Sequence, residues 1–374
     1  MFSDSYQFLF EATPLKNKGF VTEALVAIAI FLKFKKRGDK VFYSDIEKYI
    51  KFLRTIYTVG SLKQNGVTIH ENYAMVKDSE DKNIKDKLRL KIKLMNRSLE
   101  YLMGHPGTTE FDPENHRYSL DFGEEMYSVA AFVNSDHVAN YVKKVITNKE
   151  KNIIEIAADG LSNNNSVKTD VWVEVDGKKI PMFDFSIKTR NTQQLSQHDN
   201  ADKKDKQIKF WNDLCGIDVS SYFRKTGAES LEDIDDYFRY ICSKMEKQLT
   251  TQRADATFVT RLAEGIKNSA TLGNDVILLS IDGTTKGKFR TFGFKSFVEA
   301  LVETGIDLSC KMSPEVNKEG SKSKQTWLKI YDSSDESPSG VLVKIRYRSD
   351  RTMTAITIEK GPLLERLTEL MPAF

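Results

Sequence analysis

Between Phe20 and Phe34 the chain reads FVTEALVAIAIFLKF. Val21, Ala24, Leu25, Ile28, Phe31 and Leu32 recur at helical spacing, the signature of a helix with one apolar face. Ala27, Ile30 and Phe34 fill the opposite side. The helix predicted over 20–37 must therefore be covered on nearly all sides. The polar TPLKNKG precedes it and Gly38 can end it. Ser44 and Glu47 then have the spacing of a capping box at the start of SDIEKYIKFLRTIY. The charged KDSEDKNIKDKLRLKIKLMNRSLEYLM is read as a further helix after a loop. Ser135 is read as the cap of DHVANYVKKVITNK. Residues 1–150 are thus expected to form a mainly helical region.

The pattern then changes period. NIIEIAA reads as a short strand, and DGLSNNNS as a loop by composition. TDVWVEV and IPMFDFSIKT alternate with period two. KKDKQIKFWNDLCG predicts a helix ending near Gly216, and the helical reading continues through ESLEDIDDYFRYICSKMEKQL and ATFVTRLAEGIKN. DVILLSI is a short apolar run suited to a buried strand. TWLKIY, GVLVKIRYR and TAITIEK are strand candidates ahead of a closing helix, PLLERLTELM. The stretch from Lys311 to Lys324 and the patch SSDESPSG read as exposed loops. The expected organisation is α/β of the α+β kind: 1–150 helical, 151–283 a mixed core, and 284–374 a β-rich module.

The two alternating segments read as a hairpin. Val171, Val173 and Val175 face one way, and Asp170, Trp172 and Glu174 the other. In the second segment Phe183, Phe185 and Ile187 form the apolar face, while Asp184, Ser186 and Lys188 form the polar one. VDGKK supplies the turn, with Gly177 free to take positive φ. Directly opposed residues share a face, so an odd loop is expected. A loop of three would set Asp170 opposite Asp184, and a loop of five would set it opposite Ser186. Either gathers two carboxylates, a hydroxyl and an amine.

Composition narrows the setting. With 374 residues, 40% of them hydrophobic, the chain can bury a sizeable core. A net charge of +3 neither demands nor excludes a nucleic-acid partner. Cys215, Cys242 and Cys310 are far apart in sequence and lack metal-ligand spacing, so they read as free thiols in a reducing compartment. The most apolar run is shorter than the roughly 18–20 residues of a membrane span, and Glu23 and Lys33 interrupt it. No signal-peptide pattern precedes it. A cytoplasmic protein, in a bacterial or phage-infected cell, is the expectation.

Clustered carboxylates at a strand end suit Mg2+ (or Mn2+), which takes oxygen ligands and keeps several waters. A nearby lysine can stabilise charge developing on a phosphate. These residues resemble the PD-(D/E)xK nuclease superfamily, restriction-endonuclease-like enzymes of restriction or phage type. KTD, ending at Asp170, is similar to that family's Asp position. SIK, Ser186 to Lys188, is similar to its (D/E)-x-K position, and Glu23 to its early helical acid. The order helix 20–37, strands 153–158, 169–175 and 180–189, helix 203–215 and strand 276–281 is similar to its αβββαβ core, with 38–150 as an insertion. The resemblance covers about a third of the chain, and Ser186 departs from it by standing where an acid is usual.

The resemblance implies a metal-dependent DNA endonuclease. Asp170 and Asp184 would be the metal ligands, Lys188 would hold water or charge, and Glu23 and Ser186 would assist. The alternative is a DNA-binding or virion structural protein on the same fold with a decayed site. Arg190, Gln193 and Gln194 after the second segment, and Lys344, Arg346 and Arg348 on one face of GVLVKIRYR, are candidate DNA contacts. Each set reads equally as solvated surface. Glu155 is a minor candidate, and Glu174, nearer the turn, reads as solvent-exposed. A homo-oligomer is compatible with all of this.

Overall fold

The computed structural model describes residues 19–58, 67–69, 73–77, 89–103, 111–112, 117–118, 123–147, 153–158, 169–189, 194–199, 201–231, 233–251, 257–271, 276–281, 287–316, 324–347 and 355–369. The architecture is mixed α/β. The chain divides into two compact units, Met1–Asn191 with Val276–Thr291, and Thr192–Asp275 with Phe292–Ala373. Among the described residues no helix is long and apolar enough to cross a membrane.

The first unit is built around α1 (Gly19–Lys35), whose residues from Val21 to Phe34 are almost all buried. Around it lie α2 (Tyr43–Thr58), α3 (Asn96–Met103), α4 (Gly123–Val133) and α5 (Asp136–Thr147). Its remaining side rests on β3 (Arg89–Met95), β6 (Ile153–Ala158) and β9 (Phe185–Thr189). The helix is apolar all round because it has no solvent face. Its one buried cation, Lys33, donates to the Asp39 carbonyl and to Asn134 Oδ1, both at 3.0 Å. Asn134 also bonds the Val41 backbone at both N and O, tying the end of α1 to the α4–α5 turn.

A six-stranded sheet runs in the order β1 (Val67–Ile69), β2 (Tyr73–Lys77), β3, β6, β7 (Trp172–Val175), β8 (Lys178–Lys179). β3 and β6 are parallel, with Ile92 beside Ile156. The helix expected across RLKIKLM is therefore a strand up to Met95, with α3 following. Leu90, Ile92 and Leu94 are buried and alternate with Arg89, Lys91 and Lys93, a period-two pattern inside a charged segment. A small two-stranded ribbon pairs β4 (Phe111–Asp112) with β5 (Arg117–Tyr118).

The hairpin differs from expectation in its loop. Glu174 pairs with Lys179 and Val175 with Lys178, so the turn is the two residues Asp176 and Gly177. Their φ values are 51° and 76°, as a hairpin turn of this length requires. The register conflict that an even loop creates is resolved by breaking the second strand. A 3-10 turn at Pro181–Phe183 interrupts it, and β9 begins afresh at Phe185, bridged antiparallel to Val171. β9 then runs parallel to β11 (Ile277–Ile281) in a three-stranded sheet completed by β12 (Phe289–Gly293). Phe183 and Phe185 are fully buried. Their rings meet Phe34 and Tyr141 (Phe183, 6.1 and 5.4 Å) and Phe132 (Phe185, 5.3 Å).

The second unit has a five-stranded antiparallel sheet. Its order is β10 (Gln194–Asp199), β16 (Ala355–Lys360), β15 (Val341–Tyr347), β14 (Lys324–Asp332), β13 (Leu308–Val316). Part of the loop expected between Lys311 and Lys324 is thus strand. The helices of this unit are α6 (Lys204–Cys215), α7 (Ser220–Thr226), α8 (Ile234–Thr251), α9 (Thr257–Thr271), α10 (Phe294–Glu303) and α11 (Pro362–Glu369). α6 ends at Gly216, φ 74°, where the sequence places its stop. α8 lies on β13 and β14 and sets Cys242 Sγ 3.3 Å from Cys310 Sγ, although 68 residues separate them.

Ile28 is wholly buried in α1. Ile28→Ala is expected to cost about 2–5 kcal/mol in urea unfolding. Phe42→Ala, at a position 52% exposed, should change stability by no more than about 0.5 kcal/mol. Equal effects would contradict the central place of α1.

Candidate active site

The Val171–Phe185 bridge assembles the site. Phe185 N donates to the Val171 carbonyl at 2.8 Å, and Asp170 N donates to the Phe185 carbonyl at 2.7 Å. This brings the Asp170 side chain over the start of β9. Its Oδ2 accepts from Ile187 N at 2.6 Å and from Ser186 Oγ at 3.2 Å. The carboxylate is thereby fixed by one backbone and one side-chain donor. Phe185 and Ile187 turn into the core, while Ser186 and Lys188 take the opposite face of β9. Parallel pairing sets Ser186 beside Leu278 and Lys188 beside Ser280.

Glu23 reaches this place from α1. Burial pushes its carboxyl up to about 8, the Asp170 charge adds to the rise, and Lys188 partly offsets it. The three groups are therefore close enough to feel one another. Glu23 lies beyond the first turn of α1, which holds no acid, so attraction to the helix N-terminus does not explain its position. Glu23, Asp170, Ser186 and Lys188 form one group on the first unit, although their sequence positions span 23 to 188.

Asp184 belongs to different surroundings. It caps the 3-10 turn, and its carbonyl accepts from Ile277 N at 2.8 Å. Burial pushes its carboxyl above the usual carboxylate range, with Lys179 opposing and Glu174 adding to the rise. Among the described residues its buried Oδ1 has no hydrogen-bond partner. The charges acting on Asp184 are thus Lys179 and Glu174, and those acting on Glu23 are Asp170 and Lys188. Glu23 is thus an acid on which the Asp170 charge acts. Pro181, inside the expected strand, was the sequence signal for the break that moves Asp184.

The remaining candidates fall as follows. Glu155 pairs with Lys93 at 2.5 Å and lies opposite Glu174 across β6 and β7. Gln194 is on β10, an edge strand of the five-stranded sheet. Arg346 pairs with Glu359 at 3.1 Å and lies over the Trp327 ring at 4.7 Å, and Lys344 lies over the same ring at 5.5 Å. Arg190, Gln193 and Arg348 lie outside the described residues.

Among the described residues no three His, Cys, Asp or Glu side chains gather as a metal-binding group. Glu23 and Asp170 offer two carboxylates with the Ser186 hydroxyl beside them, a hard oxygen set. Such a set fits Mg2+, which completes its shell with water. The raised Glu23 carboxyl fits as well, because burial and the Asp170 charge outweigh Lys188 and disfavour a second ionised acid there, a penalty that a bound cation would offset. Comparison of the chain with protein-family models, with curated proteins and with solved structures finds no match in any of the three.

The Glu23 shift has a measurable sign. With a folded value near 8 against 4.5 unfolded, the folded state holds this proton more tightly. Its contribution to stability is present below 4.5 and is lost as pH rises towards 8. Glu23→Gln should therefore melt higher than wild type at pH 8.5 in chelator, and the difference should vanish at pH 4. A variant that melts lower at pH 8.5 would contradict the burial and repulsion assigned to Glu23.

Proposed function

We propose that the protein is a metal-dependent DNA endonuclease of the PD-(D/E)xK kind, of restriction or phage type. The observation that carries this reading is that Ser186 Oγ and Ile187 N hold the Asp170 carboxylate over β9, while Glu23 feels the charges of both Asp170 and Lys188. Within the first unit the chain order α1, β6, β7, β9, β11 agrees with the αβββαβ assignment, while α6 belongs to the second unit. A divalent ion held by Asp170 and Glu23 would supply an acidified water and neutralise phosphate charge. Ile187 N and Ser186 hold Asp170 in a fixed orientation before substrate arrives. The Lys188 ammonium, close to both acids, stabilises negative charge on the scissile phosphate. Burial around Glu23 strengthens the charge interactions that reach it.

A second reading is a DNA-binding or virion structural protein with a decayed site. Two observations favour it. Ser186 stands at the position where the family carries an acid, and Asp184 lies with Glu174 and Lys179 instead of compensating.

Plasmid nicking in Mg2+ or Mn2+ separates the two readings. Wild type should nick supercoiled DNA. Asp170→Asn and Lys188→Ala should each lower the rate by about 10²–10³. Asp184→Asn should stay within about tenfold of wild type. Absence of nicking by wild type with every divalent ion would leave the binding-protein reading. Loss of activity in Asp184→Asn equal to that in Asp170→Asn would return Asp184 to the metal site.

A further inference from the structure

The second unit contains a cavity of about 610 Å3, within the usual range for small-ligand pockets. Three elements line it. α6 contributes Lys206, Lys209, Phe210, Asp213 and Leu214, α9 contributes Gly265, Asn268 and Ser269, and β10 contributes His198. None of these residues belongs to the group around Asp170.

Its walls are held in place. A Cβ on Gly265 would collide with the Leu214 carbonyl, so glycine lets α9 lie directly on α6 at one end of the cavity. From that contact the lining runs back along α6 to Lys206 and forward along α9 to Ser269. Gln207, fully buried, donates to the Ala201 carbonyl and accepts from Trp211 Nε1 at 3.1 Å, which anchors α6 to the segment after β10. Ser269 Oγ meets His198 Nε2 at 2.6 Å and Ser196 Oγ at 3.0 Å. The His198 ring meets Phe210 edge-on, centroids 5.1 Å apart.

The lining has two chemical ends. Lys206 and Lys209 bring two ammonium groups, against Asp213 as the one carboxylate among the described lining residues, 2.6 Å from Lys209. Among the described residues Lys206 has no ion pair. The buried part of the lining is aromatic and aliphatic, from Phe210 and Leu214, and the exposed Asn268 adds an amide, which both donates and accepts. An inorganic anion would leave the apolar wall uncovered. A purely apolar ligand would leave the cationic end unused. A ligand with a planar, hydrogen-bonding body and an anionic end matches both.

We propose that this cavity binds a nucleoside phosphate, with the phosphate at Lys206 and Lys209, the base against Phe210 and Leu214, and Asn268 reading the edge of the base. The same chemistry has two sources, a free mononucleotide or one nucleotide of a DNA strand. The site stands apart from the cleavage reading. It shares no residue with the Asp170 group, so it can fail while that reading holds, and the reverse.

Calorimetry on the full chain tests it, with deoxyadenosine monophosphate, inorganic phosphate and a single-stranded pentanucleotide as separate probes in chelator. Asp170→Asn serves as the background in which cleavage is removed. The mononucleotide or the pentanucleotide should bind there, and more tightly than phosphate. The double variant K206A/K209A, both at exposed positions, should weaken that binding about tenfold or more. Asn268→Leu should change the preference among the four mononucleotides. Binding of the mononucleotide alone assigns a free ligand, and binding of the pentanucleotide alone assigns a strand. Failure of both to bind, phosphate binding as tightly as either, or binding unchanged in K206A/K209A would overturn the proposal.

Discussion

The complete burial of α1 is the constraint from which the rest of the first unit follows. A helix apolar on every side must be enclosed, and here four helices and two sheets enclose it. Enclosure fixes its rotation. Lys33 can then be tolerated only where Asp39 and Asn134 meet its ammonium, and burial pulls that ammonium below its ordinary value. At the other end the same rotation carries Glu23 into the neighbourhood of Asp170 and Lys188. The acid is placed by packing energy from more than ten buried apolar side chains, which far exceeds the cost of raising one carboxyl.

The second determinant is the broken strand. Asp176 and Gly177 demand a two-residue turn, while the apolar faces demand an odd register. The 3-10 turn at Pro181–Phe183 satisfies both. It lets Phe183 and Phe185 both reach the core under α1, where an unbroken strand would not need the pairing of Val171 with Phe185. That pairing brings the Asp170 carboxylate to the Ile187 N–H. The oriented carboxylate is thus a consequence of resolving a conflict between turn chemistry and side-chain alternation.

Much of this was legible in the sequence where one periodicity dominated. The covered helix, the stop of α6 at Gly216 and the strands β15 and β16 follow from dense apolar patterns. The approach of Ser186 to Asp170 was anticipated from alternation, but through an odd loop; the structure reaches it through a two-residue turn and a broken strand. Other features were not. β3 is hidden because its charged alternate positions imitate a solvated helix. β10 is hidden because QLSQHD lacks the branched and aromatic residues typical of strands, although edge pairing with β16 stabilises it. The displacement of Asp184 needed the proline to outweigh the alternation around it. The approach of Cys242 to Cys310, and the cavity between α6, α9 and β10, arise from tertiary packing that no local pattern encodes.

The central claim is that packing of α1 forces Glu23 and Asp170 to share one site. Carbon-detected NMR titration of the Glu23 carboxyl tests it most directly. Wild type should titrate well above 4.5, towards 8, and Asp170→Asn should lower the midpoint while leaving it above 4.5, because burial remains. A midpoint near 4.5 in wild type, or one indifferent to Asp170→Asn, would contradict the account.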